Sequence, residues 1–317
     1  MRLFARGWSD RRDGPGHRRI YYLKGCNLAC RWCASPESIA GSGELLFRPE
    51  RAAGETLGGF CPHGAIDGQI LDRTRCRICP DTACRRLRHP ALEWCGIDTT
   101  PEALAAELAA LAGNWGDFGG VTFGGGEPSL QAAELAPLLR TLRRNGIHTA
   151  FESNAATAAF PLLVSEADLV IADLKSGTAE TFRACTGGDF GMVLANLARA
   201  AEEADALLLR IPFVPGCNDA PEERSAMAGI LDTLNRSRRR AKGEPLAVEV
   251  LPFHHFGDPK YRALGKPCPM ENVPPPSPET VAGFERELAG TGLQIERNGP
   301  DDTRNRPRNH QNRRRAV

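Results

Sequence analysis

Residues 20–33 read IYYLKGCNLACRWC, an apolar run that leads directly into three closely spaced cysteines. A short run of β-branched and aromatic residues predicts a buried strand over Ile20–Leu23. Cys26, Cys30 and Cys33 follow with the spacing C-x3-C-x2-C, so they share one short loop after that strand. Thiolates clustered in this way are typical ligands of a soft metal centre.

Three thiolates cannot ligate every iron of a cubane [4Fe-4S] cluster, which is normally held by four cysteines. The fourth iron would then be open to a small chelating molecule, such as the amine and carboxylate of S-adenosylmethionine. An electron entering the cluster would cleave the adjacent S–C5′ bond, while the protein orients the cofactor and excludes water. The spacing alone leaves two alternatives open: a zinc site with a distant fourth ligand, and simple buried cysteines.

The remaining cysteines also indicate metal binding. The chain of 317 residues contains 11 cysteines, an odd number, and eight of them fall between Cys26 and Cys95. An odd count without an apolar leader argues against a disulfide framework. The net charge of +1 gives no reason to expect a nucleic acid or an acidic membrane as partner. Because no apolar run is long enough to span a bilayer, we expect a cytoplasmic protein.

The pattern after residue 97 predicts a partial (β/α)6 TIM-like barrel, an α/β fold. Strands alternate there with helices, which implies a parallel sheet with right-handed crossovers. An open doubly wound sheet is the alternative. Strands are predicted at Gly120–Phe123, His148–Glu152, Leu169–Leu174, Leu207–Phe213 and Ala247–Pro252. Helices are predicted at Gln131–Arg144, Thr178–Cys185, Met192–Glu203, Pro221–Ser237 and Pro278–Leu288, besides one that Thr100 caps and Pro101 begins.

The predicted domain organisation has four parts. Residues 1–55 begin the barrel and carry the first cysteine loop, with little regular structure after residue 34. Residues 56–96 form a cysteine-rich insert, and 97–297 complete the barrel. Residues 298–317, rich in arginine and without a hydrophobic pattern, are predicted to be a disordered tail.

The insert resembles a bacterial two-cluster ferredoxin in which the ligands of one cluster are lost. In that architecture the fourth cysteine of each motif, followed by proline, ligates the other cluster. Cys61 precedes Pro62, and Cys76, Cys79 and Cys84 are the leading three of the second motif, whose own fourth position is occupied by Arg88. These four cysteines are therefore predicted to hold one auxiliary [4Fe-4S] cluster. Cys95 as the fourth ligand, or zinc in place of iron–sulfur, are the alternatives.

A glycine-rich turn follows the first predicted barrel strand after the insert. Residues 119–128 read GGVTFGGGEP. Glycines let the backbone approach a ligand closely, and exposed carbonyls together with Glu127 would accept hydrogen bonds from an ammonium group.

With these motifs the chain resembles the radical S-adenosylmethionine (radical SAM) superfamily and, within it, the activating enzymes of glycyl radical enzymes, of the pyruvate formate-lyase activating type. The resemblance covers about residues 12–290, in the family's order. It rests on DGPG (13–16), YLKGC, CASPES, the ferredoxin-like insert, GGVTFGGGEP, ESN (152–154), ADLK (172–175), TGGDFGMVLANL, LRIPFVPGCND and LPFH (251–254).

The resemblance implies roles for individual residues. Cys26, Cys30 and Cys33 would bind the catalytic cluster. Lys175 and His254 would lie at the radical site. The cofactor contacts implied are Trp32 beside the adenine, Gly125, Gly126 and Glu127 at the methionine amino group, Glu152 and Ser153 near the carboxylate with a monovalent cation, and Asp173, Lys175, Arg210 and His254. Each also has a simpler interpretation, namely a solvated ion pair for Asp173–Lys175 and a structural cap for His254.

The resemblance also implies the reaction and the partners. The enzyme would reductively cleave S-adenosylmethionine and take a hydrogen from a backbone glycine of a large partner, with a flavodoxin- or ferredoxin-type protein as reductant. Gly124, where the family usually has serine, and Ala155, where it usually has glycine, depart from the pattern. A radical SAM enzyme acting on a small molecule or a ribosomal peptide, with Cys185 or Cys217 as hydrogen donor, is the alternative. An electron carrier or a zinc-stabilised scaffold is a third hypothesis.

Overall fold

The structure is a computed structural model, and it describes residues 1–52, 61–68, 70–77, 79, 83–86, 89–111, 113, 115 and 119–297. The predicted disordered tail at 298–317, residues 56–60 of the predicted insert and Arg88 lie outside the described residues. No helix of the described part is long and apolar enough to cross a membrane.

The main sheet of the described residues has nine strands, and seven of them run parallel in sequence order. These seven are β2 (His17–Leu23), β8 (Gly120–Gly125), β9 (His148–Ser153), β10 (Leu169–Asp173), β11 (Ala206–Phe213), β12 (Ala247–Pro252) and β13 (Gln294–Glu296). On the other side of β2, β1 (Arg2–Asp10) is antiparallel to it, and β7 (Ile97–Asp98) is antiparallel to β1. Each parallel strand pairs with the next one along the chain. A doubly wound sheet reverses its strand order part-way, so that alternative is wrong and the partial barrel is confirmed.

Helices pack on the outside of this sheet. They are α2 (Pro101–Ala110), α3 (Ala132–Arg144), α4 (Pro161–Val164), α5 (Ala179–Thr186), α6 (Phe190–Glu203), α7 (Pro221–Lys242) and α9 (Pro278–Ala289). Helix α8 (Asp258–Ala263) instead contacts Pro36–Ser38 and Glu44–Phe47. The core between sheet and helices is apolar, with fully buried Phe151, Val170 and Leu209 on the strands. Thr100 caps α2 as predicted, since its hydroxyl accepts a hydrogen bond from Ala103 N at 3.2 Å.

The cysteine-rich region contains two small sheets. Strands β3 (Glu44–Phe47) and β6 (Leu92–Cys95) form one antiparallel pair, and β4 (Ile66–Asp67) and β5 (Ile70–Leu71) form the other. Helix α1 (Arg73–Arg77) follows β5. The absence of regular structure predicted after residue 34 is therefore wrong at β3, whose ELLF run pairs with a strand about 50 residues later.

Candidate active site

The three cysteines of the C-x3-C-x2-C motif lie on the loop that leaves the carboxyl end of β2. Main-chain hydrogen bonds fix this loop from two sides: Cys26 N donates to Ile39 O at 3.0 Å, and Arg31 N donates to Cys185 O at 3.0 Å. Burial raises the pKa of Cys26, Cys30 and Cys33 to about 11. Three buried thiols lose their protons readily only when a metal cation shares the negative charge. The three cysteine sulfurs therefore fit iron as ligands.

Among the described residues, no group of three or more His, Cys, Asp or Glu side chains is arranged to hold one metal ion. A cubane cluster places each cysteine on a different iron, so its ligands lie further apart than those of one ion. The cysteine loop is compatible with a cluster, and metal analysis of the purified protein distinguishes it from the zinc alternative.

The glycine-rich turn after β8 packs directly against the start of the cysteine loop. Gly126 N donates to Leu23 O at 2.9 Å, and Glu127 N donates to Gly25 O at 2.7 Å. A side chain at Gly126 would bring its Cβ within 2.1 Å of Gly25 O. Gly125 has a φ of +111°, which side chains disfavour. Glycine is thus required here for the close approach of two main-chain segments, while the predicted approach to a ligand stays a prediction.

Glu127 is completely buried, and its carboxylate is occupied by the protein itself. Oε1 accepts hydrogen bonds from Ser129 N at 3.0 Å and Ser153 Oγ at 2.8 Å. Oε2 accepts one from Asn154 N at 2.8 Å. Burial raises the pKa of Glu127, although these hydrogen bonds oppose the shift. In this structure the carboxylate joins the turn after β8 to the end of β9, and the ammonium contact predicted for Glu127 stays a prediction.

Asn154 was not among the predicted site residues, yet it reaches the cysteine loop. Its Nδ2 lies 3.7 Å from Cys26 Sγ and donates to Asn27 Oδ1 at 3.0 Å. The only signal in the sequence was its position directly after Ser153, in the ESN triplet. Asn154 is therefore the residue that links Glu127 to the first cluster cysteine.

Asp173 and Lys175 form a close ion pair at the end of β10, with Lys175 Nζ 2.5 Å from Asp173 Oδ2. Lys175 is only 8% exposed, so the solvated-pair interpretation is wrong. Burial alone would lower the pKa of Lys175, but Asp173 and the thiols of Cys30 and Cys26 raise it above its ordinary value. A positive charge is thus held near two of the three cysteines of the C-x3-C-x2-C motif.

Arg210 lies between two glutamates inside the barrel. Its Nη1 donates to Glu152 Oε1 at 2.6 Å, and its Nε donates to Glu249 Oε2 at 2.8 Å. A third donor, Nη2, contacts the main-chain oxygen of Arg12. Burial raises the pKa of Glu152 to about 8, and nearby Asp13 adds to the shift while Arg210 opposes it. Glu249 was missed in the sequence, where a lone glutamate in the apolar strand AVEVLP was the only signal.

His254 and Trp32 line one cleft beside the cysteine loop. The cleft has about 180 Å³ of empty volume, and Cys33, Phe253 and Met270 also line it. His254 Nδ1 accepts a hydrogen bond from Phe256 N at 3.2 Å, so the ring has a structural contact as well as a place at the cleft. Partial burial lowers the pKa of His254, which favours the neutral ring.

This cysteine loop, its glycine-rich turn and the strand-end residues occupy one edge of the sheet, where (β/α) barrels place their sites. The sequence matches the Radical SAM superfamily over residues 20–227. The chain belongs to the radical SAM superfamily. Its members bind S-adenosylmethionine and a [4Fe-4S] cluster, so the protein is an enzyme with these cofactors.

The relatives of this radical SAM enzyme are activating enzymes. The 4-hydroxyphenylacetate decarboxylase activating enzyme of Clostridioides difficile (strain 630) is 30% identical over 268 residues, 80% of this chain and 82% of that protein. The pyruvate formate-lyase 2-activating enzyme of Escherichia coli (strain K12) is 31% identical over 291 residues, 89% and 87% of the two chains. A radical SAM methyltransferase from Sphaerobacter thermophilus shares the fold, with a TM-score of 0.50 at 13% identity, covering 92% of this chain and 72% of that one. The resemblance to glycyl-radical-enzyme activating enzymes is confirmed, and the electron-carrier and scaffold hypothesis is wrong.

The insert of this radical SAM enzyme brings four cysteines together. Burial raises the pKa of Cys84, and the neighbouring thiols of Cys76, Cys79 and Cys61 add to the shift. Cys95 lies on the other face of β6 from Leu92 and Trp94, which pack in the cluster that contacts Cys61 and Cys84. The Cys95 thiol instead points to Glu37 O, at 3.8 Å. The thiols of the four predicted ligands are thus near enough to influence one another electrostatically, whereas the Cys95 thiol faces Glu37.

Cys185 and Cys217, the hydrogen donors of the alternative hypothesis, lie together under the cysteine loop. Both are buried, and Trp32 packs against the apolar cluster that contains them. Burial and the adjacent Cys185 thiol raise the pKa of Cys217 to about 12. The Cys217 thiol is thus neutral in the physiological range.

Proposed function

We propose that this radical SAM enzyme activates a glycyl radical enzyme by removing a hydrogen atom from one backbone glycine of that partner. The observation that carries the proposal is the meeting of the cysteine loop, the glycine-rich turn and the buried Asp173–Lys175 pair at one edge of the sheet, in a chain whose relatives are named as activating enzymes. Glycine suits the reaction because its α-radical is delocalised between two amides and has no side chain to clash.

Each group of residues has a distinct task in this proposal. Cys26, Cys30 and Cys33 hold the [4Fe-4S] cluster, whose open iron would bind the amine and carboxylate of S-adenosylmethionine. When bound, the reduced cluster would supply the electron that cleaves the cofactor and generates the hydrogen-abstracting radical. Lys175 places a positive charge beside two cluster thiols, and Asp173 fixes its position. The cleft wall at Trp32 and His254 would keep water from the reacting carbon.

A monovalent cation near the cofactor carboxylate is a separate part of the proposal. Glu152 is the carboxylate that would ligate it, with the Ser153 hydroxyl beside it on the chain. Arg210 already donates to Glu152 at 2.6 Å, so a cation bound there would share that carboxylate with a guanidinium. Cofactor cleavage measured in potassium and in tetramethylammonium buffers tests this point.

The auxiliary cluster is also proposed, with Cys61, Cys76, Cys79 and Cys84 as its ligands. The support is that their thiols influence one another electrostatically while Cys95 faces away. We propose a flavodoxin- or ferredoxin-type reductant, a cytoplasmic location, and neither a nucleic acid nor a membrane among the partners.

The test is electron paramagnetic resonance on an anaerobic mixture of the reconstituted enzyme, a reductant, S-adenosylmethionine and extract of the source cells. The expected result is a protein-bound doublet that loses its splitting when the cells are grown on α-deuterated glycine. Formation of 5′-deoxyadenosine without such a signal, in extracts that contain glycyl radical enzymes, would contradict the proposal.

A second candidate function is favoured by the buried thiols of Cys185 and Cys217. A protonated thiol donates a hydrogen atom, and the pKa of Cys217 keeps that thiol protonated. In this case the enzyme would act on a small molecule or a ribosomal peptide. Replacing either cysteine by alanine would then stop turnover and leave cofactor cleavage intact, whereas an activating enzyme would retain both.

A further inference from the structure

The insert concentrates positive charge around the auxiliary cysteines. Residues 73–88 contain six arginines and a single acidic residue, Asp81, although the whole chain has a net charge of only +1. Two arginines, Arg75 and Arg77, flank Cys76, and two more follow Cys84 directly. A local excess of this size produces a field that steers association with an acidic partner.

The described arginines divide into structural and exposed ones. Arg73 turns inward, where its guanidinium donates to the main-chain oxygens of Leu45 at 2.5 Å and Ala263 at 3.2 Å, and it thereby joins the insert to the end of α8. Arg75, Arg85 and Arg86 instead are exposed. Two of these exposed arginines also lie near a carboxylate, with Arg75 Nε 3.3 Å from Asp72 Oδ2 and Arg85 Nη2 3.6 Å from Asp98 Oδ2. Exposed ion pairs of this kind are weak, so these guanidinium groups can still meet a partner's carboxylates.

The exposed side chain of Arg85 is ordered by an aromatic ring. Its guanidinium lies 5.3 Å from the centre of the Trp94 ring, and 47% of its side chain is exposed. Stacking on the aromatic ring orders the long side chain before a partner arrives, which reduces the entropy lost on binding. Arg86 follows it on the short 3-10 turn Ala83–Arg86, which also carries Cys84.

The auxiliary cysteines lie just beneath this charge. Cys61, Cys76, Cys79 and Cys84 are all partly exposed, in contrast to the buried Cys95. A redox centre held by these thiols would therefore be close to solvent. We infer that the surface formed by Arg75, Arg85 and Arg86, which we call the arginine surface, docks an acidic one-electron carrier protein. The inference rests on the proposed function and names where its reductant binds.

A nucleic acid partner and a purely structural role for the arginines predict different behaviour. A single-stranded nucleic acid would need aromatic rings open to base stacking. The ring of Trp94 is already stacked against the Arg85 guanidinium. Arginines that only balance the charge of the cluster would be needed for iron to bind. Tight binding of an RNA in the first case, and loss of iron from charge-reversed variants in the second, would distinguish these roles from docking.

The experiment measures the affinity of the reconstituted enzyme for a purified flavodoxin, an acidic carrier, by its flavin fluorescence. The double variant Arg85→Glu/Arg86→Glu should weaken binding by about tenfold or more at low ionic strength, because rim charges govern encounter. Raising the salt from about 0.05 M to about 0.5 M should remove most of this difference, since screening shortens the reach of exposed charges.

Matched variants separate docking from folding. Arg144→Glu/Arg240→Glu makes the same charge change on two exposed arginines of the barrel helices, and its affinity should equal that of the unaltered enzyme. Arg85→Lys/Arg86→Lys keeps the charge and should retain binding. Equal weakening in the Arg144/Arg240 variant, unchanged binding in the Arg85/Arg86 glutamate variant, or tight salt-dependent binding of polyuridylate in place of flavodoxin would each overturn the inference. Loss of iron from the Arg85→Glu/Arg86→Glu enzyme would also overturn it.

Cofactor cleavage distinguishes this inference from the proposed function. Dithionite needs no docking surface, so dithionite-driven formation of 5′-deoxyadenosine should be equal in the Arg85→Glu/Arg86→Glu and unaltered enzymes, while the flavodoxin-driven rate falls. If the unaltered enzyme with dithionite as reductant forms no glycyl radical on a partner protein, the activating function is refuted. The flavodoxin affinities would still decide the docking inference.

Discussion

Asn154 Nδ2 lies 3.7 Å from Cys26 Sγ, so an amide directly after β9 is in contact with the first cysteine of the C-x3-C-x2-C motif. The main chain of Asn154 donates to the buried Glu127 carboxylate at 2.8 Å, and that carboxylate fixes the glycine-rich turn. One residue therefore connects the cysteine loop to the turn that the cofactor would contact. Donors to cluster sulfurs are among the features that set the reduction potential.

Replacing Asn154 by alanine should lower the reduction potential of the catalytic cluster, because the thiolate of Cys26 loses a hydrogen-bond donor. Potentiometry followed by electron paramagnetic resonance would measure the shift. The lost hydrogen bonds should also cost about 1 kcal/mol of stability. Asn145→Ala, at the exposed end of α3, is the control and should change neither quantity. An unaltered potential in Asn154→Ala would show that the amide does not act on the cluster.

Ala155→Gly should stabilise the protein. Ala155 has a φ of +55°, a left-handed conformation that glycine adopts without strain. Asn196 holds it there, since Nδ2 donates to Ala155 O and to Thr157 O, both at 2.8 Å. Relief of the left-handed conformation is worth about 1–2 kcal/mol, and loss of the fully buried methyl group costs about 0.8 kcal/mol. The expected net gain is about 0.5 kcal/mol, read as a rise in the midpoint of thermal unfolding. The control is Ala156→Gly, which lies outside the left-handed region and should destabilise slightly; a lower midpoint in Ala155→Gly would contradict the prediction.

The sequence predicted most of the barrel because its strands and helices have clear periodicity. The strand predicted at Leu207–Phe213, for example, is Ala206–Phe213 in the structure. Strand β1 (Arg2–Asp10) was missed, since its residues RLFARGWSD mix arginines and aromatics without alternation and it is formed by pairing with β2. Elements that depend on a distant partner leave little signal in their own residues.

Site residues that belong to a sequence motif were predictable. Those whose position depends on the pairing register of two strands were not. The cysteine loop was found from its spacing, and Asp173–Lys175 from the ADLK motif. Glu249 was missed because its role follows from the pairing of β11 with β12, which sets it opposite Arg210. The orientation of Cys95 likewise depends on which face of β6 it occupies.

Iron content distinguishes the two candidates for the fourth auxiliary ligand. The reconstituted enzyme should contain about eight iron atoms per chain, and Cys79→Ser should reduce this to about four. Cys61→Ser should lose iron in the same way, whereas Cys95→Ser should retain it, because Cys95 faces Glu37 on the other side of β6. Iron and acid-labile sulfide assays are the measurement. Full iron in Cys61→Ser together with a loss of iron in Cys95→Ser would make Cys95 the fourth ligand. Zinc in place of iron in the purified protein would show that these cysteines hold a zinc site.

Glu152 should make stability decrease as the pH rises. Burial raises its folded pKa from 4.5 to about 8, so the folded state keeps a proton that the unfolded state has released. Between these two values the unfolded chain binds fewer protons, and the free energy of unfolding therefore falls with increasing pH. Thermal unfolding of Glu152→Gln should show a smaller decrease over this range. The control Glu271→Gln, on an exposed side chain, should follow the unaltered protein; identical slopes in all three proteins would show that Glu152 is ionised throughout.

Asp173→Asn should reduce the rate of cofactor cleavage by about 10²-fold, because a misplaced charged group in an enclosed site costs that much. Lys175 would lose the carboxylate that lies 2.5 Å from its Nζ, and its ammonium would no longer be fixed beside Cys26 and Cys30. Dithionite-driven formation of 5′-deoxyadenosine is the measurement, with iron content as a check that the cluster is present. Glu203→Gln breaks the exposed pair with Arg199 and serves as the control, since surface ion pairs contribute little. A cleavage rate in Asp173→Asn within about twofold of the control would show that the Asp173–Lys175 pair has no catalytic role. An electrostatic role at the cluster predicts a far larger loss of rate.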